Sequence, residues 1–208
     1  MEDKNYLQDI RDIKDMMNRS TQFISLSGLS GVLAGVYAIL GALYAKSILA
    51  SRQTSYLSDR YVTIESDTFQ QILTTAIVVL CLSVGTALVL TRFKARKNGE
   101  TIWNSTAKRL IVNFLIPLIT GGIFALLLLR HQVYGLIAPV TLIFYGLACV
   151  NASKYTFRDV RYLGLTILIL GLLATEFSGY ALEFWALGFG VCHIIYGGIM
   201  HFKYERNN

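Results

Sequence analysis

Two side chains of this 208-residue sequence have the types and placement for nucleophilic chemistry inside a membrane. Ser30 stands in Gly28-Leu29-Ser30-Gly31, and His193 in His193-Ile194-Ile195-Tyr196-Gly197. A serine hydroxyl becomes a nucleophile when a nearby imidazole takes its proton. At ~1.5 Å of helix rise per residue, counted from the inner ends of their helices, Ser30 lies ~10 Å deep and His193 ~13 Å, within reach of each other. His193 is the one His, Asp, Glu, Lys or Arg near the middle of an uncharged run. Such a residue faces protein or a water-filled cavity, because lipid leaves its polar atoms unpaired. It therefore has two readings: a donor to a carbonyl or hydroxyl on a neighbouring helix, or a proton-linked or ligand-binding group. Glu176 and Glu183 bracket the last outer turn. They form a carboxylate pair able to hold a cation or carry a proton, or simply two solvated charges closing a hairpin. Cys81, Cys149 and Cys192 show no CxxC spacing and read as small packing residues. His131 and His201 lie at opposite membrane faces, too far from His193 for a bis-histidine haem. The residues imply neither a metal site nor a cofactor.

The elements that must position these groups are transmembrane helices. Only 15% of the residues are charged, against roughly a quarter in soluble domains. Uncharged runs cover Ser20–Ala45, Thr68–Thr91, Leu110–Leu129, His131–Ser153 and Phe184–Phe202, and a crossing needs about 20 apolar residues. A further run, Tyr162–Thr175, holds 14 residues, apolar on every side, before Glu176; extension to about Tyr180 gives it full length. The fold class is therefore all-α: an integral membrane six-helix bundle behind an N-terminal amphipathic surface helix. The surface helix occupies 1–22 and the transmembrane domain 23–208, with spans at about 23–45, 69–91, 110–129, 133–152, 162–180 and 184–202. Glu2, Asp3, Asp9, Asp12 and Asp15 at the start argue against a cleavable signal peptide.

With the N-terminus inside, fifteen of the nineteen Lys and Arg fall on cytoplasmic stretches, in accord with the positive-inside rule. The +6 net charge is thus a topology signal, and nucleic acid is not an expected partner. The lipid bilayer is one, and a homo-oligomer or a membrane-protein partner is the other kind considered.

Tyr6, Ile10, Ile13 and Met17 share one helical face, suited to the membrane surface or to a cytoplasmic docking seam. Lys46–Asp67 is the longest outer loop, and Arg92–Arg109 a basic inner one. Asn104-Ser105-Thr106 and Asn151-Ala152-Ser153 match the glycosylation pattern but fall on the cytoplasmic side. Phe144-Tyr145-Gly146 and Ile195-Tyr196-Gly197 form a faint echo between spans four and six. Ser27, Gly31 and Gly35 recur at steps of four, the small-residue spacing that lets helix backbones approach closely. Gly190 and Gly197 flank His193 on a similar face. Pro117 and Pro139 are expected to kink spans three and four.

Gly28-Leu29-Ser30-Gly31 resembles the GxSG of rhomboid intramembrane proteases, and the His193–Gly197 segment is similar to their histidine span. That resemblance implies an intramembrane serine hydrolase using Ser30 and His193. The family's serine, however, lies on the fourth span and this one on the first, and the histidine and asparagine that support its oxyanion have no counterpart in span two. The run Met16-Met17-Asn18-Arg19-Ser20, continuing through Phe23 to Gly31, resembles the opening of an uncharacterised family of small bacterial multi-pass membrane proteins, over about the first 45 residues. It implies a bacterial inner membrane and carries no assigned activity. The leading expectation is a non-enzymatic regulatory or accessory membrane partner. A small-solute channel or carrier comes second, and the serine hydrolase third. A wet interior reaching His193 favours transport, and a dry one favours the partner.

Overall fold

A computed structural model describes residues 27–51, 66–97 and 103–204. The surface helix expected over 1–22 and most of the outer loop lie outside the described residues. Those described form six helices: α1 (Gly28–Ser51), α2 (Ser66–Lys97), α3 (Ser105–Arg130), α4 (Ile137–Ala152), α5 (Arg158–Glu176) and α6 (Ser178–Tyr204). There is no strand among the described residues, so the chain is an all-α bundle. Uncharged sequence yields helices because lipid offers no partner to peptide groups, and a helix satisfies its own.

Several boundaries differ from the sequence reading. α1 runs through Lys46 to Ser51, α2 reaches Lys97, and α3 starts at Ser105. The basic residues Arg92, Lys94, Arg96, Lys97, Lys108 and Arg109, assigned to an inner loop, are therefore in helix ends. Charge halts insertion into lipid, but Lys, Arg and Ala still propagate a helix well. Asn104 serves as the N-cap of α3, its side-chain oxygen accepting from Ala107 N at 2.7 Å. α5 does not extend to Tyr180. It ends at Glu176, where Phe177 leaves helical geometry (φ −98°, ψ 58°), and Ser178–Tyr180 is the opening turn of α6. Pro139 does not kink α4, because it lies in the first turn, where its missing N–H has no partner to lose. Pro117 is inside α3.

Five helical segments are long and apolar enough to cross a membrane: α1, α2, α3, Tyr134–Tyr155 and α6. α5 has the shortest apolar stretch, yet it is central to the packing. Leu142 of α4, Leu163, Ile167 and Ala174 of α5 and Cys192 of α6 form one buried cluster, edged by Trp185 and Phe189. Cys149, Phe157, Val160 and Met200 form a second cluster. Cys81 is exposed, and the two buried cysteines are free thiols within these clusters. α4 and α5 touch backbone to backbone: a Cβ on Gly146 would lie 2.7 Å from Gly164 O, and one on Gly164 2.8 Å from Gly146 O. The sequence reading missed this seam.

α1 packs between α6 and α2. Against α2, Gly41 meets Val79 and Thr75. α2 is also held near its ends. Thr68 and Ala95 are fully buried, Phe69 meets Tyr134 with ring centroids 5.6 Å apart, and Lys94 lies over the Phe157 ring at 5.8 Å. The Thr68 hydroxyl is the one buried side-chain polar atom without a hydrogen-bond partner among the described residues. Between those ends Ile77, Leu80, Val84 and Leu88 face outward, as do Ile116, Ile119, Ile123 and Leu126 of α3. In a bilayer these surfaces meet acyl chains.

Candidate functional site

Two interior polar side chains, His193 and Asn151, answer places where α-helical hydrogen bonding is interrupted. In α6 a π segment, Ala186–Val191, separates two α-helical stretches, and Cys192 N–H bonds Leu187 O, five residues back. A return from five-back to four-back pairing passes over one carbonyl, and Gly188 O stands at that junction. His193 Nδ1 lies 3.1 Å from it. A carbonyl can only accept, so Nδ1 carries the proton. In the neutral ring Nε2 is then an acceptor, and Tyr145 Oη of α4 donates to it at 2.7 Å. His193 is 8% exposed. Phe189 stacks on its ring (centroids 6.0 Å, 17° between planes) and also packs on Tyr145 at 4.9 Å. Phe114 closes the far side of Tyr145 edge-on at 5.9 Å.

The second interruption is Pro117. A proline inside a helix cannot donate to the carbonyl four residues back, here that of Asn113. Asn151 of α4 reaches across and donates Nδ2 to Asn113 O at 2.8 Å. Asn151, read from sequence only as part of a glycosylation pattern, is thus an interhelical donor. Asn151→Leu is expected to cost about 1–3 kcal/mol for the orphaned carbonyl. In a Pro117→Ala background, where residue 117 regains its N–H, the same change should cost little. Thermal melting of the four proteins in detergent measures the coupling, and equal costs in both backgrounds would refute the assignment.

Ser30 and His193 do not form a pair. Ser30 Oγ donates to Ser27 O at 2.6 Å, and both His193 ring nitrogens are occupied. What His193 turns toward α1 is its main-chain carbonyl, 3.6 Å from where a Cβ on Gly31 would stand. The small residues of α1 and α6 do come together. A Cβ on Gly35 would lie 2.6 Å from Gly190 O, and one on Gly197 2.6 Å from both Gly28 O and Val32 N, with Ser27 buried beside them. Glu183 pairs with Lys46 of α1 at 3.0 Å, while Glu176 is exposed at the end of α5. No group of three metal-ligating side chains occurs among the described residues.

Tyr145 completes the site, and sequence reasoning did not select it. Its only signal was membership of the Phe144-Tyr145-Gly146 echo. A cavity of about 780 Å³ lies between α1 and α2, and His193 is not among its walls. The arrangement supplies no free base, no activated nucleophile and no charged ligand. What it does is close hydrogen bonds that the helices leave open. Comparison with protein-family models, with curated proteins and with solved structures finds no match to this chain.

Proposed function

We propose that this chain is a non-enzymatic regulatory or accessory protein of a bacterial inner membrane, acting through helix packing. The observation that carries the reading is the state of four polar side chains, those around His193 and Pro117 and Ser30 on α1. His193, Tyr145, Asn151 and Ser30 are all committed to hydrogen bonds inside the protein. A carrier or intramembrane enzyme needs a polar group free to meet a solute or substrate. Purified protein reconstituted into liposomes should therefore conduct protons and small neutral solutes no faster than protein-free vesicles. A flux that His193→Gln abolishes would overturn the reading.

In this proposal the chain crosses six times with both termini cytoplasmic. The Lys and Arg bias supports the orientation, and the seam with α4 supports α5 as a crossing, since Gly164 and Gly171 both meet α4 along its length. Reporter fusions at residues 57 and 132 should read as external, and those at 98, 157 and the C-terminus as cytoplasmic. A cytoplasmic signal at 132 defeats this topology.

A further inference from the structure

The uncharged run of α5, Tyr162–Thr175, is 14 residues long, which makes ~21 Å of helix against a hydrocarbon core of ~30 Å. α5 is not free to slide to make up the difference, because α4 sets its depth. A Cβ on Gly164 would lie 2.8 Å from Gly146 O, and one on Gly171 2.9 Å from Ile143 N. The deficit therefore falls on the charged residues at its ends, Arg161 on one side and Glu176 on the other. Arg158 and Arg161 are exposed and lie one turn apart on the same face of α5. Neither guanidinium has an ion-pair or hydrogen-bond partner among the described residues. The carboxylate between them in the chain is engaged elsewhere: Asp159 receives Lys203 Nζ at 3.1 Å and Tyr204 Oη at 2.8 Å. Deeper in the bilayer the arginine face continues as Tyr162, Leu165, Ile169 and Leu172, all exposed. From Tyr162 to Leu172 it runs ~15 Å, half the hydrocarbon core.

We infer that this face holds one anionic phospholipid, with its phosphate between the guanidiniums of Arg158 and Arg161 and an acyl chain along Leu165, Ile169 and Leu172. A guanidinium drawn toward hydrocarbon is costly unless an anion comes with it, and a bilayer thins locally around a short span to bring one. The planar fork of an arginine matches a pair of phosphate oxygens. An acidic protein segment would answer the charges alone, whereas charge continuous with an apolar stripe one leaflet long matches a whole lipid. A choline head would set a third cation beside two that lack a counter-charge, and a glycerol head does not. The inference rests on α5 as a crossing and holds for either orientation of the chain.

The test titrates full-length protein in a non-ionic detergent with phosphatidylglycerol or phosphatidylcholine of equal chain length. Bound lipid is counted by native mass spectrometry. One phosphatidylglycerol should be retained about tenfold more tightly than phosphatidylcholine, in line with charge-assisted hydrogen bonds to an unshared anion. Arg158→Gln/Arg161→Gln should remove that preference. Arg92→Gln/Arg96→Gln, an exposed pair at the end of α2, should leave it intact, and inorganic phosphate in excess should not displace the lipid. The two lipids are compared on unaltered protein, so that result decides even if a variant folds poorly. Equal retention of both lipids overturns the site. Equal loss from the α2 pair reduces it to general charge attraction and overturns it too, and displacement by inorganic phosphate overturns the lipid as occupant. Any of these with the C-terminal fusion cytoplasmic sinks the lipid site alone, whereas an external C-terminus sinks the crossing.

Discussion

Gly197→Leu is expected to destabilise the protein by about 3 kcal/mol or more, while Gly198→Leu, one residue along the same helix, is expected to be neutral or slightly stabilising. A Cβ at 197 would lie 2.6 Å from Gly28 O and from Val32 N, whereas one at 198 meets nothing within 4 Å. The atoms that a leucine at position 197 would strike are main chain, so no side chain can turn aside to admit it. α1 and α6 must separate instead, and they lose van der Waals contact along their shared face, which is what holds helices together in lipid. At 198 the added side chain enters lipid and removes the conformational freedom of a helical glycine. Melting temperatures of the two variants in one detergent decide the matter. Similar values for both would mean that the α1–α6 contact is looser than these distances require.

The second large effect is expected at His193. Replacement by leucine removes the donor to Gly188 O and the acceptor for Tyr145 Oη together, leaving two buried polar groups unmatched at roughly 1–3 kcal/mol each. His193→Gln should recover most of the loss, because an amide offers an N–H to the carbonyl and an oxygen to the phenol. Tyr145→Phe should destabilise the wild-type protein, yet cost little in the His193→Leu background, since the hydroxyl then has no partner to lose. A His193→Leu variant as stable as the parent would show that water already fills these positions. The interior would then be wet, and the transport reading would return.

The spans themselves were legible in the residues, because an uncharged run of about 20 has few alternatives to a helix. The small-residue face of α1 was legible too, from Ser27, Gly31 and Gly35 at steps of four. Its counterpart, Gly190 and Gly197, could be marked as a packed face, but one sequence cannot say which face meets which. The Gly146–Gly164 contact was missed for a related reason: each glycine stands without a small neighbour three or four positions away, apart from Cys149, so no repeat announces it. His193 stood out as an ionisable group in mid-span. Tyr145 did not, since a tyrosine in an apolar helix looks like packing until its hydroxyl is seen 2.7 Å from a ring nitrogen. The π segment is invisible in composition. Pro117 was read only as a kink; the Asn113 carbonyl it leaves open went unread, and only the placement of α4 beside α3 identifies Asn151 as the donor.

The pairing of Pro117 with Asn151 also bears on the history open to this sequence. Neither residue is required by itself; what is constrained is the balance between a missing amide and a supplied one. A lineage that first replaces Pro117 recovers the main-chain bond, and Asn151 is then released to drift. A lineage that first loses Asn151 must pass through a form with an unpaired carbonyl facing its neighbour helix. The two changes are therefore ordered, and the path away from this pair opens from the proline end.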